Sequence, residues 1–238
     1  MNILKKLYFL VKGFLFPAFC AICEDSLFSS SEIRYGLCDD CLSSLNISEE
    51  KKCILCGKPL ISEKEKCLPC RNGTNHSYDR LWVLFPYAGK YNKLLKEYKF
   101  KKKLNLAEFF TEKIISVLRE NPELKDAIIV PVPPRPGKIN ELGWDQIDYL
   151  FKRLKKNINT KNAVKRCLKR KKSKIQKYLS RIERIENLKG RIFLKGKSPK
   201  TALVIDDVIT TGSTMEVCAS VLKKNGSEKV YGLCLFYD

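Results

Sequence analysis

The 238-residue chain is 44% hydrophobic, which excludes a disordered chain and suffices for one domain with a small appendage or for two modest domains. Its formal net charge of +20 is unevenly placed: residues 151–200 hold 20 of the 46 Lys and Arg but only two of the 26 acids, Glu183 and Glu186. Such a block suits a polyanionic partner, nucleic acid or a phosphate-rich ligand, or else a solvated lysine-rich surface.

At the start, Leu4, Leu7, Tyr8, Val11, Phe14 and Leu15 fall at helical spacing with Lys5, Lys6 and Lys12 between them. The pattern predicts an amphipathic helix over residues 1–18, docked on its own protein or lying on a membrane surface. Lys12 breaks the apolar run and no small-residue cleavage site follows, so no signal peptide is expected. No run approaches the roughly 18 apolar residues of a spanning helix. The expectation is therefore no transmembrane segment and a cytoplasmic location.

Eight of the eleven cysteines lie in the first 70 residues as four Cys-x-x-Cys pairs: Cys20 and Cys23, Cys38 and Cys41, Cys53 and Cys56, Cys67 and Cys70. Two thiolates at this spacing in a tight turn can share one tetrahedral zinc at about 2.3 Å, and Gly57 suits the turn after Cys56. Four disulfides would need an oxidising compartment, and a redox Cys-x-x-Cys would be a single pair. The expectation is a double zinc ribbon over 19–75 with two structural Zn sites, supplying folding free energy that so small a region lacks. Sequential pairing needs the shortest loops; an interleaved cross-brace is the alternative. His76 is expected in a loop rather than as a ligand, and Cys167, Cys218 and Cys234 as small core residues.

From about residue 78 the pattern changes. The run YDRLWVLFPYA predicts a strand. YNKLLKEYKF and NLAEFFTEKIISVLREN predict helices, the second ending near Pro122. AIIVPVPP predicts a buried strand entering a proline loop, and NELGWDQIDYLFKRLKKN a helix after a polar start. RIERIENLKGRIF reads as a short helix and then a strand. TALVID, STMEVCASVLKKNG and KVYGLCLFYD predict strand, helix and strand, with Asn225-Gly226 closing the helix. This alternation over 78–238 predicts an α/β domain with a doubly wound, mostly parallel sheet.

Ligands of open α/β sheets bind beyond the carboxyl ends of the strands. There the chain places Asp206 and Asp207, then Thr210, Thr211, Gly212, Ser213 and Thr214 leading into a helix. A helix start offers unpaired N–H groups and the positive end of its dipole, which suits a phosphate. Gly212 lets the backbone approach, and ionised carboxylates accept hydrogens from hydroxyls. A ribose 5-phosphate matches both halves. An apolar strand ending in two aspartates also resembles a Walker B segment. The nearest P-loop candidate, GRIFLKGKS at 190–198, has five residues between its glycines instead of four, and Pro199 disrupts the helix a P-loop must open.

The apolar run, Asp-Asp and Thr-Thr-Gly-x-Thr together resemble the phosphoribosyl-pyrophosphate motif of type I phosphoribosyltransferases. That resemblance implies Asp206 and Asp207 on the ribose hydroxyls, directly or through Mg²⁺, and residues 210–214 around the 5-phosphate. The chain as a whole resembles the ComF family, in which a zinc ribbon precedes a phosphoribosyltransferase-like domain. FLFPAFCAIC, YDRLWVLFPYAGKYNKLLKEYKFKKK, VPVPPRPGKINELGWDQ and KIQKYLSRIERIENLKGRIF carry the likeness. It further implies a pyrophosphate-facing loop with Arg135 and Lys138, and a flexible loop at about 170–188 offering Lys174, Gln176, Lys177, Arg181 and Arg184. The activity implied is phosphoribosyl transfer to an unspecified acceptor. A link to DNA uptake and natural transformation is implied too, with a competence-associated helicase as candidate partner. The alternative expectation is a non-catalytic module holding single-stranded DNA on the basic 151–200 segment and the zinc ribbons. Residues 169–172 would then meet phosphates, and Tyr149, Phe151 and Tyr178 would stack on bases, the alternative for Tyr149 and Phe151 being burial within their helix.

Overall fold

The computed structural model describes residues 17–45, 51–62, 65–157, 164–171 and 181–238; the helix expected over 1–18 lies almost wholly outside them. The first cysteine region holds β1 (Ala18–Phe19) paired antiparallel with β2 (Ser26–Leu27), then α1 (Ser30–Tyr35) and α2 (Asp39–Ser44). Ser29 and Glu32 form a reciprocal capping box that starts α1. The second cysteine region contributes α3 (Leu68–Arg71). Cys38 and Cys67 occupy the N-cap positions of α2 and α3, so each later Cys-x-x-Cys opens a short helix.

The remainder runs β3 (Arg80–Pro86), α4 (Gly89–Lys99), α5 (Leu106–Glu120), β4 (Ile128–Pro131), α6 (Lys138–Leu142) and α7 (Gln146–Asn157). It continues through β5 (Leu168–Arg170), α8 (Arg181–Leu188), β6 (Ile192–Leu194), β7 (Thr201–Ile209), α9 (Ser213–Lys224) and β8 (Lys229–Tyr237). Four strands form a parallel sheet in the order β3-β8-β7-β4.

Side chains alternate along β7. Leu203 and Ile205 join a core with Phe85, Phe109, Phe110 and Phe151. Ala202 and Val204 face the opposite layer, with Met215, Cys218 and Leu222 of α9. Helices therefore cover both faces, as a doubly wound α/β sheet requires. Cys167, Cys218 and Cys234 are buried, as expected.

Three local departures have physical causes. The helix expected across NELGWDQIDYLFKRLKKN is interrupted at Gly143, which adopts a left-handed φ of 72°; Asp145 Oδ1 then accepts the Asp148 N–H at 2.8 Å near the start of α7. The strand beginning TALVID continues to Ile209, because Val208 and Ile209 pair with Phe236 and Tyr237; both aspartates thus lie within the sheet. The segment expected as a flexible loop begins in β5, paired antiparallel with β6, and ends in α8.

The cysteine regions dock at separate places on the α/β unit. Ala21, Leu27, Leu37 and Leu45 belong to the same core cluster as Phe85 and Leu203. Arg34 meets Glu108 at 2.6 Å, and Lys93 meets Glu24 at 2.8 Å. The second region covers the open edge of β3: Lys52 Nζ donates to the Val83 carbonyl at 2.7 Å. Gly57, with φ of 69°, comes so close that a Cβ there would stand 2.7 Å from Val83 Cγ2. A larger residue would have to push aside the Val83 side chain and crowd the Leu81 carbonyl, in a left-handed conformation that favours glycine.

Candidate functional site

The eight N-terminal thiols form two sets, Cys20, Cys23, Cys38 and Cys41, and Cys53, Cys56, Cys67 and Cys70; within each set the sulfurs lie within 4.8 Å of one another. The sequential pairing is the one present. Tetrahedral zinc with bonds of about 2.3 Å needs sulfurs roughly 3.8 Å apart, and the donor set is the soft thiolate type zinc takes. Burial opposes ionisation of Cys20 and Cys53, but backbone N–H groups outweigh it and hold the pKa of both thiols at about 7. These are two four-cysteine clusters fit for structural zinc. His76 is outside the second set, with Nε2 3.5 Å from Cys70 Sγ.

The acidic pair lies at the carboxyl end of β7. Asp207 is buried, takes a short hydrogen bond from Gln146 Nε2, and stands 3.2 Å from Lys99 Nζ. Burial alone would raise its pKa; the Lys99 charge and the Gln146 hydrogen bond hold it below the usual carboxylate range. Lys99 is held above its ordinary value by the same pairing, against desolvation. Asp206 behaves oppositely: burial and the neighbouring Asp207 charge push it up to about 8. The two carboxyls are thus pushed in opposite directions, Asp207 toward the ionised form and Asp206 toward the protonated one. Lys99→Met, which keeps most of the stem volume, is expected to raise the Asp207 pKa, read by carboxyl-carbon NMR titration; an unmoved Asp207 would refute the pairing.

Beyond the pair, Thr210, Thr211, Gly212, Ser213 and Thr214 line one cavity together with Asp206 and Cys234. Gly212 is left-handed at φ 74° and precedes α9, while the Thr211 and Ser213 hydroxyls are 2.8 Å apart. Asp206 and the hydroxyl-rich turn thus share one cavity at a helix N-terminus, whereas Asp207 is turned to Gln146 and Lys99.

The expected cations are placed unevenly. Lys138 pairs with Asp145 at 2.6 Å and adds to the positive potential on Asp207. Arg135 is half-exposed and engaged with Glu141. Lys174, Gln176, Lys177 and Tyr178 lie outside the described residues; Arg181 and Arg184 lie on α8, with side chains that are not described. Phe151 is buried in the core, the alternative weighed for it, and is not available to stack on bases. Tyr149 accepts a hydrogen bond from Arg153 at 3.0 Å. Arg166, Lys169 and Arg170 line a separate groove beside Pro131, Val132 and Ile139.

Two residues at the centre of the site, Lys99 and Gln146, were not among the expected ligands. Gln146 had a signal, since it closes the GWDQ segment that carries part of the family likeness. Lys99 had none, because it ends a helix followed by Lys101, Lys102 and Lys103 that reads as a solvated basic tail.

A family model described as "Double zinc ribbon domain" matches residues 11–71. Competence protein F of Haemophilus influenzae is 28% identical over 223 residues, covering 89% of this chain and 93% of the relative. DNA utilization protein YhgH of Escherichia coli is 26% identical over 225 residues, covering 92% and 96%. Competence protein ComFC of Streptococcus pneumoniae is 26% identical over 207 residues, covering 82% and 84%. Among the described residues no helix is long and apolar enough to cross a membrane.

Proposed function

This chain is a ComF/ComFC-like protein with an N-terminal double zinc ribbon, and we propose that its α/β domain binds phosphoribosyl pyrophosphate with Mg²⁺ in a role tied to DNA uptake. The observation that carries the reading is the placement of Asp206 with Thr210, Thr211 and Gly212 in one cavity wall at a helix start, Asp207 being the next residue of the strand. The loop hydroxyls and α9 N–H groups would hold the 5-phosphate. Asp207, kept ionised by Lys99 and Gln146, would accept hydrogens from ribose hydroxyls, and Asp206 would join it on losing its proton. Mg²⁺, an oxygen-seeking cation, would be held by these carboxylates and by ligand oxygens, and would offset charge on the pyrophosphate.

Departure of that pyrophosphate with transfer of the ribosyl phosphate to an acceptor is the reaction class such a site serves. Lys138, Arg135, Lys174, Gln176, Lys177, Arg181 and Arg184 are its candidate charge-stabilising and pyrophosphate-facing groups. Isothermal calorimetry with phosphoribosyl pyrophosphate, with and without Mg²⁺, tests the reading. Saturable heat that strengthens with Mg²⁺ is expected; no heat in either condition defeats it.

A second reading, single-stranded DNA handling, draws on the groove with Arg166, Lys169 and Arg170 and on the names of the relatives. A helicase partner would belong to the same context. Affinity for an oligonucleotide is expected to fall steeply with salt and to weaken when Lys169 and Arg170 are neutralised. A flat salt response would exclude electrostatic binding.

A further inference from the structure

We propose that the second zinc knuckle forms one wall of the phosphate site, so that a bound phosphate ester is held jointly by the turn at 210–212 and by Lys58. The inference rests on the phosphate reading above and extends it to a second part of the chain.

The charge inventory raises the need. The residues lining the cavity over Asp206 include no lysine or arginine, and they do include a carboxyl group. A phosphate dianion placed there would meet hydroxyls and a helix dipole, but no counter-charge from the turn itself. On its other flank the same turn faces a groove. Thr210, Thr211 and Gly212 line it together with Lys58, Thr74 and His76. Lys58 is exposed and makes no ion pair among the described residues, so its ammonium is free to turn toward an anion. It follows Gly57, whose close approach to Val83 fixes where this part of the knuckle sits on the sheet.

A second set of contacts ties the knuckle to the helix that opens at the turn. The Ser77 N–H donates to Glu216 at 2.9 Å, and the Ser77 hydroxyl donates to the same carboxylate at 2.5 Å. His76 lies between the cluster and the helix, with Nε2 3.5 Å from Cys70 Sγ and Nδ1 3.5 Å from Glu216. Glu216 lies in the first turn of α9, close behind the residues that would touch phosphate. His76 and Glu216 are thus positioning residues: they hold the loop-bearing helix against a metal cluster that keeps its own geometry. Metal at the second cluster and anion at the turn then favour the same arrangement. By linkage each strengthens the other.

Ribose 5-phosphate and inorganic phosphate are the probes, titrated calorimetrically into zinc-loaded full-length protein. Lys58→Ala is expected to weaken both by about 10-fold, the loss of one charge-assisted contact. Lys51→Ala, on the same knuckle but outside the groove, is expected to change affinity less than about 2-fold. Glu216→Ala is expected to weaken binding, and Glu216→Gln, which keeps an acceptor for Ser77, to restore part of it. In a parallel readout, saturating ribose 5-phosphate should slow zinc release to a chromogenic chelator. If wild-type protein binds neither probe, the phosphate reading itself fails and this proposal with it. If wild type binds but Lys58→Ala matches Lys51→Ala and zinc release is unaffected, the composite site alone is overturned.

Discussion

Stripping both metals with a strong chelator is expected to lower the melting temperature of the whole protein, not only of the cysteine-rich part, by roughly 10 °C or more. A structural zinc contributes on the order of 10 kcal/mol to folding, and about 1 kcal/mol moves the melting point by some 2–4 °C at this chain length. The reason the loss spreads is the shared core: Ala21, Leu27, Leu37 and Leu45 pack in one cluster with Phe85, Phe109, Phe110 and Leu203. Without a cation the first knuckle opens and that face is exposed to water. The second cluster has its own small apolar set, Cys53, Leu60, Cys67 and Cys70. Cys41→Ser is accordingly expected to cost more stability than Cys56→Ser. Scanning calorimetry with and without chelator measures both effects, and a main transition indifferent to the metal would sink the argument.

The second large effect is expected at the acidic pair, where the two aspartates should respond in opposite directions. In Asp207→Asn one accepting oxygen is replaced by a donating NH2, and the half-buried Lys99 ammonium is left without its counter-charge. Breaking such a pair from one side costs about 3–5 kcal/mol when it is fully buried, less here because Lys99 keeps some contact with water. Ligand affinity should fall by roughly 100-fold or more as two charged hydrogen bonds are lost. Asp206→Asn should weaken the ligand similarly, yet stabilise the ligand-free protein in alkaline solution.

The signs follow from linkage. Asp206, raised to about 8 by burial and by Asp207, adds stability that is full below the ordinary carboxylate range and is lost as pH rises through about 8. Asp207, depressed in the fold, adds stability present above that range and lost as pH falls through its folded value. Melting temperatures of wild type and Asp206→Asn should therefore diverge as pH rises from about 4 to about 8, and run parallel above that. Curves parallel throughout that window would mean that Asp206 is already ionised at neutral pH.

Much of this site could be read from the chain because its parts are adjacent in sequence. An apolar run, two acids and a small-residue turn are contiguous, and one strand followed by one helix carries them to the end of the sheet. The cysteines were legible for the same reason, since spacing within a turn decides which thiols can share an ion. What escaped depends on distant packing. Lys99 reaches Asp207 only because α4 lies over one face of the sheet, and nothing local separates it from the lysines that follow. The docking of the knuckles was equally hidden, because Arg34 and Glu108 are far apart in the chain and Gly57 looks like an ordinary turn glycine. The burial of Phe151 follows from the apolar stripe of Ile147, Leu150 and Leu154 on α7, a pattern that favours packing over base stacking.

The strand order has a consequence for how the molecule is made. Within the sheet, β3 is bonded only to β8, and β8 separates it from β7. On a ribosome the cysteine-rich region and β3 emerge first, and β8 emerges last of the four strands. The nascent chain can gather its zinc early, but β3 must wait with an unpaired edge for a partner some 150 positions later in the chain. Pairing at such a separation is slow and leaves apolar strands exposed in the interval. In the folded protein Lys52 and Gly57 cover the far edge of β3. A knuckle that loads its metal before β8 emerges would leave only one edge of β3 waiting for a partner.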